Sequence, residues 1–298
     1  MRNLSDAVKQ VMTLASHEGL HKTPLPWLTL VRADNPTTLE MVLYEPSVCI
    51  VLQGKKETRQ EHTTFYSHAA NCILGAVNLP VLGAVIEASP SEPYLCLRID
   101  IDPSIIAELV DEHDLSGSAP NADSAMTLGA VDENMIDTVS RLLDSLESEA
   151  AARALAPLIQ KELYWRLLQQ IPARVLLSQL AKDSKYYALY KVINWLETNF
   201  SQQVTMDDLA NQAAMSLSSF YAHFKAATGI SPLQYRNRLR LIKARKLMLL
   251  QGCNAAEAGF AVGYQEPAQF NREYSRLFGL PPKRDLFRLK SHSLAEFV

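Results

Sequence analysis

No stretch of the chain approaches the roughly 18 to 20 consecutive apolar residues that a membrane-spanning helix needs, so no membrane partner is expected. Cysteine is scarce, with four residues (Cys49, Cys72, Cys96 and Cys253) at unpaired spacings. That pattern sets aside a disulfide framework and fits a reducing compartment. The histidines contain no His-x-His. His62 and His68 form a close pair in the strand-rich part, without the clustered acid and later histidine of a metal-dependent cupin, and no metal or cofactor is expected. The N-terminus, MRNLSDAVKQVMTLASHEGL, carries Asp6 and Glu18 in an amphipathic pattern and lacks the apolar core of a signal peptide. The expected location is the cytoplasm. Nor is there a strong excess of one charge, the net value being −3. That figure conceals a division: residues 183–298 hold 15 Lys/Arg against 9 Asp/Glu, while residues 1–182 hold 14 against 23. A polyanion is drawn to the C-terminal part and repelled by the rest.

What is present is a repeat inside the basic part. LANQAAMSLSSFYAHFKAATGISP (209–232) is matched by AGFAVGYQEPAQFNREYSRLFGLPP (258–282). Ala210 and Met215 align with Gly259 and Tyr264 at an offset of 49; Phe220, Phe224, Gly229 and Pro232 align with Phe270, Tyr274, Gly279 and Pro282 at an offset of 50. One residue inserted in the turn accounts for the change. Each copy reads as a short helix, a tight turn, and a second helix closed by Gly-x-x-Pro, which is the pattern of a helix-turn-helix.

In the first copy Thr205 and Ser216 are the expected caps, and Phe220 and Phe224 the inward pair at i and i+4. Leu217, Ser218, Tyr221, Ala222 and Lys225 then face outward. In the second, Gly263 supplies the turn, Pro267 starts the second helix, and Phe270, Tyr274 and Phe278 form the buried stripe. Ala268, Asn271, Arg272, Ser275 and Arg276 face outward. An arginine there can donate twice to guanine and an asparagine can pair with adenine. The intervening PLQYRNRLRLIKARKLMLL reads as one helix, with Tyr235, Leu239, Ile242, Leu247 and Leu250 as its apolar side. Arg236, Arg238, Arg240, Lys243, Arg245 and Lys246 are expected to cover the remainder, meeting phosphate or solvent.

The block from about Tyr187 to Arg288 resembles the DNA-binding domain of AraC/XylS-type bacterial transcription regulators, above all in FAVGYQEPAQFNREYSRLFGLPP. The resemblance implies seven helices with two helix-turn-helix units on a shared long helix. The second helix of each unit, about 216–226 and 267–277, enters a major groove. It implies Ser218, Tyr221 and Ala222 as base-facing in the first unit, with Pro267, Ala268, Asn271 and Arg272 in the second; Lys225 and Arg276 join the DNA-facing set from their outward positions. Ala222 stands where the family often has arginine, and Glu266 replaces the usual serine cap.

In the front half, Leu28 to Asp102 is rich in Val, Ile, Leu, Tyr and Thr, and turn signals break it into short segments that argue for an antiparallel barrel or sandwich. ETRQEHTTFYSH reads as a hairpin. Residues 5–19 read as a helix capped by Ser5; PSIIAELVDEH as a helix capped by Asp102; 131–150 and 153–170 as two more, with ARVLLSQLAKDSKYY as the junction. EPSVCIVLQGKK and NLPVLGAVIEASPSEPYLCLRIDID resemble the N-terminal domain of a subgroup of the same regulators, implying a cupin-like barrel that senses a small molecule.

The expected chain is therefore α+β. A cupin-like antiparallel β-barrel with flanking helices, which senses and dimerises, occupies 1–182. An all-α DNA-binding domain with two helix-turn-helix units on a linker helix occupies 183–298. Double-stranded DNA, a small-molecule effector, RNA polymerase and a second copy of the chain are the expected partners, with nucleoid association through DNA. Cys49, Cys72 and Cys96 lie in strand-like text. Buried packing is the first reading for them, and reaction of one with an oxidant or aldehyde the sharper one. A cupin-type enzyme lacks its metal triad here, and a methyl-transfer repair fusion lacks its reactive-cysteine motif; no enzymatic activity is expected.

Overall fold

A computed structural model describes residues 3–69, 71–115, 124–178, 180 and 187–291. The expected domain boundary at 182/183 and most of the polar loop DLSGSAPNADSA lie outside the described residues. The chain begins with α1 (Leu4–Leu14). Asn3, not Ser5, is its cap: the Asn3 side chain accepts from the Asp6 amide while Asp6 accepts from the Asn3 amide. The helix stops well short of residue 19, because Gly19 opens a strand.

Among the described residues ten strands follow: β1 (Gly19–Lys22), β2 (Leu28–Ala33), β3 (Glu40–Tyr44), β4 (Ser47–Gln53), β5 (Lys55–Gln60), β6 (Thr63–His68), β7 (Asn71–Gly75), β8 (Leu79–Glu87), β9 (Tyr94–Asp100) and β10 (Met126–Ala130). They form two antiparallel sheets, β1-β2-β9-β4-β7-β10 and β3-β8-β5-β6. No ladder joins the two sheets among the described residues, so the cupin-like barrel is open at its seams. The predicted hairpin is β5–β6, with Gln60 opposite Thr63 and Glu61 at its tip in a left-handed conformation (φ 48°). Strand β10 was not legible in MTLGA, five residues without alternation; it is held by pairing along β7.

Helices α2 (Pro103–Glu112), α3 (Glu133–Ser145), α4 (Glu149–Leu168) and α5 (Ile171–Ser178) flank the sheets. Asp102 caps α2 as expected, and Asp132 caps α3. Ser148 caps α4, ahead of the expected start, and the helix runs on past Pro157. Ile171-Pro172 opens α5 where a junction was expected, since proline suits a first helical turn.

The C-terminal part is α6 (Tyr187–Thr198), α7 (Met206–Gln212), α8 (Leu217–Thr228), α9 (Pro232–Leu250), α10 (Ala255–Ala261), α11 (Pro267–Phe278) and α12 (Pro282–Ser291). Its apolar cores do not follow the division into a barrel part and a helical part. A single apolar cluster runs from Ala7 through the sheets and on to Leu209, Phe220, Phe224, Tyr235 and Leu239, so the first helix-turn-helix shares the barrel's core. The second has its own, built on Leu241, Ala244, Met248, Ala258, Val262, Tyr264, Phe270 and Tyr274. Helix α9 is buried on two sides as a result. Leu250, expected in its apolar stripe, is exposed, and Leu241, Ala244 and Met248 form a second stripe. Phe220 and Phe224 are fully buried, each contributing about 1.5–3 kcal/mol by leaving water.

Candidate nucleic-acid interface and its link to the barrel

The two helix-turn-helix units repeat in atomic detail. Thr205 and Asn254 cap α7 and α10 with the same reciprocal box, completed by Asp208 and Glu257. In each turn an amide reaches back to the first helix at 3.0 Å, Met215 to the Ala210 carbonyl and Tyr264 to the Gly259 carbonyl. The residue before it is left-handed in both copies, Ala214 at φ 54° and Gly263 at φ 91°. Glycine is required in the second because a Cβ there would lie 2.8 Å from the Ser201 carbonyl oxygen. The inserted residue is Gln265, placed between this turn and the cap of α11. Gly229 and Gly279, at φ 82° and 76°, end α8 and α11.

Ser216 caps α8, accepting from the Ser219 amide. Glu266 occupies the same place before α11 but makes no side-chain cap bond. Its charge still favours the positive end of the helix. Ser218, Tyr221, Ala222 and Lys225 all stand exposed along α8, with Leu217 beside them. Pro267, Ala268, Asn271, Arg272 and Arg276 do so along α11. Ser275 is turned half inward and donates to the Asn271 carbonyl. Glu273 accepts from Tyr264 and Gln269. Each second helix thus has its aromatic side in the core and its polar side open.

The basic side chains of α9 have a different job from the expected one. Arg236 donates to the Val204 carbonyl and Arg240 to that of Phe200, bracing the segment ahead of α7. Lys243 pairs with Glu197 of α6, and Arg238 with Glu61 of the β5–β6 hairpin. Arg245, read as a surface cation, is completely buried. It grips Asp285 of α12 with two bonds of 2.8 and 3.0 Å, and donates to Glu40 of β3 at 2.8 Å. Its guanidinium lies 4.2 Å from the centre of the Phe278 ring. Tyr274 donates to Asp285, and Arg288 pairs with both Asp285 and Glu40. Burial raises the Glu40 carboxyl, but hydrogen bonds from Arg288 and Arg245 outweigh it, and the group sits below its ordinary value. Lys246 is the cation of this stretch that faces solvent.

A second joint lies at the end of α8. The Ala227 carbonyl, one of the orphan acceptors of a helix C-terminus, receives the Ala125 amide at 2.8 Å and the Gln60 side chain at 3.1 Å. Glu61 packs over Gly229, and Tyr235 donates to the Asn78 carbonyl at 2.7 Å. The barrel half therefore holds both recognition units from behind, the first through Gln60, Glu61, Asn78 and Ala125, the second through Glu40. Sequence reasoning missed these residues. An acid inside the apolar strand EMVLY was the available signal.

Between the sheets lies a small separate cluster of Ala33, Val51, Val85, Tyr94 and Cys96, against which Cys49 and Val31 pack. Cys49 and Cys96 come together here, whereas Cys72 lies in the main core, donating to the Gly129 carbonyl. Burial pushes the Cys72 thiol up to about 12. Hydrogen bonding from Cys96 outweighs burial at Cys49, with Lys56 and Arg98 helping, and brings that thiol down to about 6. His62 and His68 are part of no cluster able to hold a metal among the described residues.

Residues 24–173 match the family described as AraC-type transcriptional regulator N-terminus, and residues 209–286 match a helix-turn-helix domain family. The HTH-type transcriptional activator RhaS of Escherichia fergusonii is 29% identical over 154 residues, 51% of this chain and 55% of that protein. The chain spans about half the length of the curated relatives it matches. Among solved structures, apo ToxT from Vibrio cholerae strain SCE256 superposes with a TM-score of 0.60 at 11% identity, covering 89% of this chain and 99% of that one. ToxT from Vibrio cholerae O395 bound to (E)-4-(8-methylnaphthalen-1-yl)but-3-enoic acid gives 0.61 at 10%, covering 88% and 98%. At such identity the likeness is one of fold.

Proposed function

The chain belongs to the AraC-type transcriptional regulators, and we propose that it binds a specific DNA site with α8 and α11 in successive major grooves, under the control of a signal received by its barrel. The observation that carries this reading is the asymmetry of each unit: aromatic backs locked in the core, and the residues named from the sequence exposed along the opposite side. Helix α9, at 19 residues, is about 28 Å long, suited to holding two such helices near one DNA turn apart. In α11, Arg272 reads guanine and Asn271 adenine, while Pro267 and Ala268 pack near the bases. In α8, Ser218 and Tyr221 contact bases beside a silent Ala222. Lys225 and Arg276 hold phosphates.

The effector is a small molecule or a reactive species, received between the sheets near Cys49 and Cys96. Its influence leaves the barrel through Glu40 and the β5–β6 hairpin, the two joints that fix the recognition units. A ligand with unequal affinity for the joined and released arrangements shifts their populations. We assign residues 1–182 to the sensor and 183–298 to the DNA-binding domain, with RNA polymerase and a second copy of the chain, meeting through residues 131–170, as partners in the cytoplasm. The test of the DNA reading is a salt titration of affinity for duplex DNA. A steep linear fall of log affinity with log salt supports it, since each phosphate contact displaces a counterion; a flat response overturns it.

A further inference from the structure

Two thiols of the barrel share one inner surface. Strands β4 and β9 are neighbours in the larger sheet, with Cys49 opposite Arg98 and Val51 opposite Cys96. Cys49 and Cys96 are therefore diagonal neighbours, and both join the cluster between the sheets. Val48, Ile50 and Leu52 of β4 and Leu95, Leu97 and Ile99 of β9 alternate with them and enter the main core instead. Cys49 is partly exposed and Cys96 buried. A register shift between Val51 and Gln53 lies beside the pair.

From this placement we propose that Cys49 and Cys96 are a redox couple, Cys49 being oxidised by a hydroperoxide and Cys96 resolving the product to an intramolecular disulfide. The Cys49 thiolate attacks the terminal peroxide oxygen. The O–O bond breaks, the alcohol leaves with a proton, and Cys49 becomes a sulfenic acid. The Cys96 sulfur then attacks Cys49, the S–S bond forms, the S–O bond breaks, and water leaves with the Cys96 proton. Two thiols and one hydroperoxide thus give a disulfide, an alcohol and water.

The surroundings assign the roles. The lowered Cys49 thiol supplies the thiolate, favoured by the Cys96 hydrogen bond and by Lys56 and Arg98. Cys96 is pushed up, first by its bond to Cys49 and then by burial, and keeps its proton until the second step. Tyr44 and Tyr94, the other titratable groups on this surface, are raised by burial and stay neutral. Diagonal strand neighbours have Cα atoms about 7–8 Å apart, longer than a disulfide's usual 4.4–6.8 Å. Closing the bond therefore draws β4 and β9 together, and the adjacent register shift is where the sheet can yield.

The proposal rests on the reading that the space between the sheets receives the signal, and its test separates the two. The full chain is treated with one equivalent of cumene hydroperoxide, then unfolded in urea so that buried thiols react, alkylated with N-ethylmaleimide and mapped by mass spectrometry. The expected product has lost two hydrogens, carries a Cys49–Cys96 cross-linked peptide, and is alkylated at Cys72 and Cys253. Cys96→Ser is expected to stop at a dimedone-reactive sulfenic acid on Cys49, and Cys49→Ser to leave Cys96 reduced. A disulfide involving Cys72 or Cys253, or an unoxidised Cys49, overturns the proposal. If the disulfide forms and DNA affinity does not change, the redox couple stands and the signal-receiving role of this surface falls.

Discussion

Arg245 of the linker helix and Glu40 of strand β3 meet at 2.8 Å across the boundary between the two halves of the chain, with the guanidinium wholly removed from solvent. Such a cation is tolerable only because Asp285, Glu40 and the Met41 carbonyl take its donors. Arg245→Met keeps most of the volume but leaves Asp285 and Glu40 with Arg288 as their one remaining cation among the described residues. The expected cost is about 3–5 kcal/mol, read from urea unfolding, against less than about 0.5 kcal/mol for Lys246→Met on the exposed side.

The same carboxylate makes the joint sensitive to acid. Glu40 titrates below its ordinary value of 4.5 in the folded chain. Its contribution is therefore complete above that value and fades as pH falls through the lowered one. Glu40→Gln cannot titrate. The stability gap between the native chain and Glu40→Gln should be constant at neutral pH and narrow below the ordinary carboxylate value; a gap that widens with acid contradicts the assignment.

On the DNA side, Arg272→Ala should weaken specific binding by about 1–3 kcal/mol and relax preference at one base pair. Arg276→Ala should weaken all sequences alike and lower the salt slope by about one. Fluorescence anisotropy on a panel of single-base operator variants distinguishes these outcomes.

Ala222 is exposed in the middle of α8, with no side chain able to reach a base edge. Ala222→Arg places a fork of donors there and should add about 1–3 kcal/mol of discrimination at one further base pair. Selection from random duplexes by the native and substituted chains would show the new preference in the half-site under α8.

The sequence made some of this legible and not the rest, for physical reasons. Local grammar was readable: the caps at Thr205 and Ser216, the stops at Gly229 and Gly279 and the aromatic pairs each depend on neighbours a few residues away. Long-range pairing was not. Arg245 lies among cations and reads as one more of them, because Glu40 and Asp285 are distant in the chain. Helix α9 was read with one apolar side since its two buried stripes, one for each core, leave few positions polar. Strand β10 is defined by β7 and not by its own pattern. The exposed faces of α8 and α11 followed from their buried faces, which is why the candidate DNA contacts could be named in advance while the joints to the barrel could not.

Hydroxyl-radical footprinting of the full chain on an operator selected from random duplexes tests the central claim most directly. Two protected segments are expected on one face of the duplex, about one helical turn (34 Å) apart, with Arg272→Ala relaxing the base preference of one segment and sparing the other. A single protected segment, or two whose preferences are both untouched by Arg272→Ala, would contradict that claim.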